Sequence, residues 1–284
     1  MIDTGFFYRG AALVAAAALL SACSATTWNN SPTPVAAPSE QSEQSAAVDL
    51  PRSKRGNPPF YEVYGVRYTV KNSSNGYKEQ GVASWYGKKF HGRDTSSGER
   101  YDMYAMTAAH KTLTLPTNVR VTNLENGKSV ILRVNDRGPF VKNRLIDLSY
   151  AAAQELDVVA NGTAVVEVVA LNSSYNENAA VSQAQIASNS QNVKMYLQVG
   201  AFGESGNAQK LADKLSASGI ANVRVHEVSG GATKLFKVRI GPLASVADYD
   251  RLSADVERLQ IGEGHLVVES GGTTQASRTI VSGG

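Results

Sequence analysis

The sequence predicts two small domains of different class, a mainly β domain read as a closed barrel followed by an α/β sandwich, held on linkers that carry no fold of their own. Three observations predict this. Residues 57–171 contain short β-branched runs broken by turn glycines, with only one helical stretch. Residues 192–270 alternate strand and helix patterns. Around them, residues 23–56, 172–191 and 271–284 are built from Ser, Pro, Ala, Asn, Gln, Thr and Gly, too poor in large apolar side chains to offset chain entropy.

The chain opens on an address. Phe6 to Arg9 lead into the apolar run Ala11–Leu20, closed by Ser21, Ala22 and Cys23. That pattern is a secretory signal over residues 1–22, too short to span a bilayer. Leu20-Ser21-Ala22-Cys23 resembles a bacterial lipobox, which implies that Cys23 becomes lipidated and that more than one acyl chain gives a stable membrane anchor. Ser24 in place of Asp implies sorting to the outer membrane, facing the periplasm. Cys23 is the only cysteine of the 284 residues, so an intrachain disulfide is excluded. Removing residues 1–22 takes away Arg9 and Asp3, leaving 27 basic against 24 acidic residues, still +3. This mild excess is no nucleic-acid signature. It suits an anionic wall polymer, and equally a merely soluble surface.

In the first block, Val119-Arg120-Val121 and Val130 to Val134 flank Glu125-Asn126-Gly127-Lys128, and Asn-Gly between β-branched runs predicts a hairpin. Ala164 to Val169 reads as a buried strand. Ser149 caps a short helix over Tyr150–Leu156, and Asn161-Gly162 turns the chain back. In the second block, Tyr196–Gly200 is a strand. Ala208, Leu211, Ala212 and Leu215 recur with helical spacing until Gly219, and Val223–Val225 and Leu235–Ile240 are strands. Ser245 with Asp248 caps a helix whose stripe is Tyr249, Leu252, Val256 and Leu259, and Leu266–Val268 closes the sheet.

Chemistry is concentrated in the first block. Gly81-Val82-Ala83-Ser84-Trp85-Tyr86-Gly87, Phe90-His91-Gly92, Thr95 to Asp102, Thr107-Ala108-Ala109-His110-Lys111, Asn135-Asp136-Arg137-Gly138-Pro139-Phe140 and Ile146-Asp147-Leu148-Ser149 bring carboxylates and a histidine beside turn glycines. Glycosidic cleavage needs an acid for the leaving oxygen and relief of oxocarbenium-like charge, and carboxyl groups supply both with no metal or cofactor. Gly-x-Ser-x-Gly, Ser-x-x-Lys, His-Glu-x-x-His and a free thiol are all missing, which argues against serine, metallo- and cysteine hydrolases.

Over roughly residues 81–171 these stretches resemble the rare lipoprotein A family of septal lytic transglycosylases. The resemblance implies a six-stranded double-psi β-barrel and cleavage of the β-1,4 bond between MurNAc and GlcNAc to 1,6-anhydro ends. It implies an active-site set of Glu99, Asp102, His110 and Asp136. The spacing of Asp136 and Asp147 is also similar to the paired aspartates of membrane-bound lytic transglycosylase A, so both stand as acid candidates. Glu99 is then a second acid/base or orienting group, and His110 a hydrogen-bond partner. Trp85 and Tyr86 are candidate sugar platforms. In the second block, Gln198-x-Gly200-x-Phe202 and Val238-Arg239-Ile240-Gly241-Pro242 resemble the SPOR domain, an RNP-like α/β module that binds peptide-stripped glycan at the septum. That resemblance places Gln198, Phe202 and Arg239 near a glycan groove.

Each residue has an ordinary reading too. Asp136 opens a turn, Asp147 precedes a helix, Glu99 and Asp102 lie in a polar loop, and His110, Trp85 and Phe202 suit packing. The first expectation is an enzyme acting on denuded peptidoglycan strands at the division septum, with divisome proteins as further partners. An expansin-like protein that binds glycan without cutting it, and a tether from outer membrane to wall, remain as alternatives.

Overall fold

The structure, a computed structural model, describes residue 42 and residues 45–173, 193–230 and 233–269. The signal over 1–22, Cys23, most of the 23–56 tether, the linker beyond residue 173 and the tail 271–284 lie outside them. Among the described residues no helix is long and apolar enough to cross a membrane.

The first domain begins with a two-stranded hairpin, β1 (Phe60–Val63) and β2 (Val66–Thr69), that stands apart from the barrel sheet. Six strands then close the barrel: β3 (Lys78–Trp85), β4 (Thr107–His110), β5 (Thr117–Asn123), β6 (Ser129–Asp136), β7 (Ile146–Leu148) and β8 (Ala164–Leu171). Their order is β3-β7-β4-β6-β5-β8, so chain neighbours are mostly not sheet neighbours. β3 runs parallel to β7 and β4 parallel to β6, and the remaining pairs are antiparallel. The expected hairpin is β5–β6, and β8 is buried along its whole length. Its outer side is closed by Glu167, which takes Lys78 Nζ at 3.2 Å and Gln80 Nε2 at 3.2 Å from β3. Helix α1 (Tyr150–Glu155) starts on Ser149, whose hydroxyl accepts from the Ala152 N–H.

The interior is filled by alternate residues, among them Ala83, Ala108, Leu132, Val134, Ile146 and Leu148. Residues 53–56, placed at the end of the flexible tether by composition, hydrogen-bond to the barrel together with Asn57. The Ser53 N–H donates to Leu115 O at 2.8 Å, and Asn57 exchanges two bonds with the Leu115 backbone. Gly56 has φ +79°, and a Cβ there would lie 2.7 Å from Ser96 O, so only glycine fits this approach.

The second domain is a four-stranded antiparallel sheet in the order β10-β11-β9-β12, made from β9 (Lys194–Phe202), β10 (Val223–Gly230), β11 (Thr233–Leu243) and β12 (His265–Glu269). Helices α2 (Ser205–Ala217) and α3 (Val246–Arg258) complete the βαββαβ chain path of an RNP-like sandwich. Leu197, Val238, Ile240 and Val268 on the sheet pack with Ala208, Leu215, Tyr249 and Val256 on the helices. The Ser245 side chain accepts from the Asp248 N–H, as the capping pattern predicts.

Leu148 is fully buried on the core face of β7, the strand that also carries Asp147. Leu148→Ala is expected to lower unfolding free energy by about 2–5 kcal/mol, read by urea denaturation. A loss under about 1 kcal/mol would show that the interior is not packed as described.

Candidate active site

Ala109 is the centre of the site. It pairs with Asp147 of β7 on one side and with Asp136 of β6 on the other. Ser84 of β3 pairs in turn with Asp147. Residues directly opposite share a sheet face, so Ser84, Asp147, Ala109 and Asp136 form one row across four strands. The row lies on the outer face, because Ala83, Ala108, Ile146, Leu148 and Val134 point into the core. Asp136 and Asp147 are two strand spacings apart, about 9–10 Å between backbones, with Ala109 on the strand between them.

Simple alternation would put Asp136 inside with Leu132 and Val134. A β-bulge prevents this. Ala108 pairs with Val134 but Ala109 with Asp136, so Asn135 is the extra residue and Asp136 emerges outward. Asn135 is buried, and its Nδ2 donates to Glu99 Oε2 at 2.8 Å.

The two aspartates sit in different surroundings. Asp136 Oδ1 accepts from Ser96 N (2.8 Å), Ser96 Oγ (2.6 Å) and Arg137 N (2.7 Å). Backbone N–H groups cannot accept, so this oxygen is held as a pure acceptor. Asp147 accepts from the Ser84 hydroxyl. Burial pushes its pKa above the usual carboxylate value, against the downward pull of that hydrogen bond and of Lys111 and Arg144. Lys111, itself lowered by burial, donates through Nζ to Arg144 O. The Arg144 guanidinium forms a two-pronged pair with Asp250 at 2.7 and 2.8 Å.

The other expected residues divide. Glu99 receives Arg133 at 2.8 Å and Asn135, and the Arg133 hydrogen bond first of all holds its pKa below the usual value. Asp102 is exposed and accepts from the Tyr104 N–H at 2.9 Å, a turn-forming contact. His110 is buried on the face opposite to Asp147. Its Nδ1 accepts from Leu113 N (3.1 Å) and Thr112 N (3.2 Å), so the proton resides on Nε2 and is donated to Tyr77 Oη at 2.9 Å. The Tyr77 hydroxyl then donates to Glu79 at 2.9 Å. Burial takes the His110 pKa down to about 3, so the ring is neutral. Trp85 packs on the core and near Tyr150, with ring centroids 5.7 Å apart. Tyr86 stacks on Tyr101 at 4.2 Å, and its phenol, raised by burial, is within electrostatic reach of both Asp136 and Asp147. Among the described residues no group of three or more His, Cys, Asp or Glu is placed to hold a metal ion.

Ser84, Ser96, Lys111 and Arg144 were not singled out from the sequence. The first three fall inside the motif runs, but nothing local marks them as partners of an aspartate.

In the second domain, Gln198 and Arg239 pair across β9 and β11 on the sheet face away from the helices. Arg239 is buried, contacts Gln198 Oε1 at 3.4 Å and pairs with Glu269 at 2.6 Å. Phe202 does not join them. A bulge at Val199 lets Gly200 pair with Val238 and Phe202 with Phe236, turning Phe202 into the cluster beneath α2.

A closed six-stranded barrel of this topology followed by an RNP-like sandwich is the architecture of a double-psi β-barrel joined to a SPOR-type module. The Lytic transglycolase family matches residues 78–168, and the SPOR domain family matches residues 191–269. The endolytic peptidoglycan transglycosylase RlpA of Pseudomonas aeruginosa is 38% identical over 273 residues, covering 78% of this chain and 80% of that protein. RlpA of Neisseria meningitidis serogroup A is 44% identical, covering 65% of this chain and 74% of its own length. A solved RlpA SPOR domain from Pseudomonas aeruginosa is 34% identical over 26% of this chain and 96% of that chain, with a TM-score of 0.25. The chain belongs to the RlpA family of endolytic peptidoglycan transglycosylases.

With a folded pKa below the unfolded value, His110 contributes stability above about pH 6.5 that is lost as pH falls toward 3. Wild-type stability is therefore expected to fall by up to about 1.4 kcal/mol per pH unit across that window relative to His110→Gln. Parallel urea-denaturation profiles for the two proteins would rule out this account of His110.

Proposed function

We propose that the chain is an endolytic lytic transglycosylase of peptide-stripped glycan strands, and that Asp147 is its acid and base. The observation that supports this is the half-buried carboxyl of Asp147, its pKa raised, facing outward beside Asp136 across Ala109. Asp147 donates its proton to the O4 of the departing GlcNAc as the bond to C1 of MurNAc breaks. Asp136, fixed through Oδ1, carries the negative charge that offsets the oxocarbenium-like centre. The C6 hydroxyl of the same MurNAc then attacks C1, and the Asp147 carboxylate takes its proton. The strand is left with a 1,6-anhydro end, and no water is consumed.

Glu99, anchored by Arg133, orients Asn135 and so the bulge that presents Asp136. The Tyr86 phenol stays within electrostatic reach of the two carboxylates, while His110 braces the turn after β4 and Asp102 shapes the loop before it. Trp85 borders the strand path. On the second domain Gln198 and Arg239 mark the glycan-binding face. With the SPOR module at the septum and a lipid on Cys23 in the outer membrane, the barrel would reach the wall from the periplasmic side, where divisome proteins meet it.

Asp147→Asn and Asp136→Asn are each expected to remove at least about 99% of strand cleavage while glycan binding persists. Mass spectrometry of soluble products reads the loss, and near-normal release of anhydro ends by both variants would refute the acid assignment. Deleting residues 192–270 should cost septal placement more than chemistry.

An acid works while protonated, so activity should decline as pH rises through the Asp147 pKa. Lys111 lowers that pKa. Lys111→Met should therefore carry the declining limb of kcat/KM to higher pH, and a limb that stays put or moves down would count against Asp147 as the acid.

A further inference from the structure

An enzyme that cuts within a strand must hold sugars on both sides of the broken bond. Strand directions show where. β4 and β6 run parallel and end at one side of the carboxylate row, leading into Lys111 and Phe140; β3 and β7 end at the other, leading into Trp85 and Tyr150. The second side carries Tyr104, which is 67% exposed. The first carries the β1–β2 hairpin.

The base of that hairpin is sewn down. Tyr61 Oη donates to Lys111 O at 2.7 Å, Tyr61 stacks on Tyr68 at 5.3 Å, and Tyr68 lies 5.7 Å from Phe140. Its tip is not. Tyr64 is 90% exposed at φ +51°, followed by Gly65 at φ +76°. A two-residue turn of this kind favours Asn-Gly, and a bulky side chain there costs on the order of 1 kcal/mol. Nothing inside the fold compensates for it. Val66 and, on the Phe140 loop, Val141 are also largely exposed. Charge is concentrated here as well. Residues 52–71 hold Arg52, Lys54, Arg55, Arg67 and Lys71 against Glu62 alone, a net +4, which exceeds the +3 of the whole chain. All five cations are exposed.

We infer that the β1–β2 hairpin, with Val141, forms glycan-binding subsites on the Lys111–Phe140 side of the cleavage point, made for muramoyl residues whose peptide has been removed. This rests on the proposed transglycosylase reading. A pyranose ring presents an apolar C–H face to Tyr64 and Val66, and removal of the stem peptide leaves a lactyl carboxylate for the basic segment. The hairpin lies outside residues 78–168, so it adds a binding wall to the part of the barrel that the family match covers.

The test uses the full mature chain without lipid. In Asp147→Asn protein, hydrogen exchange with and without peptide-free peptidoglycan strands should show glycan-dependent protection of residues 60–69. That protection should be lost in Asp147→Asn combined with Tyr64→Ser and Val66→Ser, whose side chains are too exposed for the fold to need them. In protein that retains Asp147, Tyr64→Ser with Val66→Ser should raise KM roughly five- to tenfold with kcat within about twofold. Absence of glycan-dependent protection at 60–69, or its persistence in the hairpin variant, overturns the inference. So does protection that depends on protein concentration and not on glycan, which would mean that a second copy covers the hairpin. Protected hairpins in a wild type that leaves strands uncut would keep the subsites and refute the transglycosylase reading. Cut strands with an unprotected hairpin would do the reverse.

Discussion

The site depends on one extra residue. Along β6, Leu132 and Val134 point inward, and strict alternation would send Asp136 after them into a packed interior, where an unpaired carboxylate is prohibitively costly. Asn135 takes up the bulge, Asp136 lands opposite Ala109, and the row from Ser84 to Asp136 becomes possible. Glu99, itself held by Arg133, is tied to that event by accepting from the Asn135 amide. The carboxylate pair thus follows from how β6 is laid against β4, and the loops after each strand build outward from it.

The same device reverses a face in the second domain. Gln198, Gly200 and Phe202 have the spacing of one strand face, and the sequence motif reads as a single surface. Val199 is the extra residue, so Gln198 stays with Arg239 while Gly200 and Phe202 turn to the helices. The absence of a side chain at Gly200 matters there, since a Cβ would lie 2.7 Å from the Phe202 ring and 3.1 Å from Leu211. Elements set by local chemistry were legible in the sequence: the Asn126-Gly127 turn, the Ser149 and Ser245 caps, the helix stripe from Tyr249 to Leu259. Faces decided by bulges were not, because a bulge has no composition of its own. His110 shows the related limit. Its motif is visible, but that the Thr112 and Leu113 N–H groups are aimed at Nδ1 is a property of the turn after β4.

Two like residues become unlike through what surrounds them. At Asp136, three donors converge on one oxygen and hold that oxygen as an acceptor. At Asp147, burial outweighs one hydroxyl and two cations, and the proton is retained more easily than in water. Nothing in the two local sequences, Val-Asn-Asp-Arg and Leu-Ile-Asp-Leu, states this difference beyond the apolar neighbours of Asp147, which are the one hint of desolvation. Across Ala109 the Asp136 carboxylate adds a smaller upward push to the Asp147 pKa.

Composition also hides where charge lies. A net +3 over 284 residues suggests a nearly neutral protein, yet residues 52–71 carry +4 and the rest sums to slightly negative. The low-complexity look of the segment before residue 57 likewise conceals that Ser53, Gly56 and Asn57 are bound to the barrel, with Arg137 donating to Gly56 O at 2.7 and 2.9 Å. Arg137 follows Asp136 directly. The guanidinium that fastens this basic segment and the N–H that fixes the Asp136 carboxylate therefore belong to the same residue. A change in how the N-terminal segment sits would be felt at the carboxylate through one residue, and the Tyr61 ring, 5.8 Å from the Arg137 guanidinium, ties the hairpin to the same point.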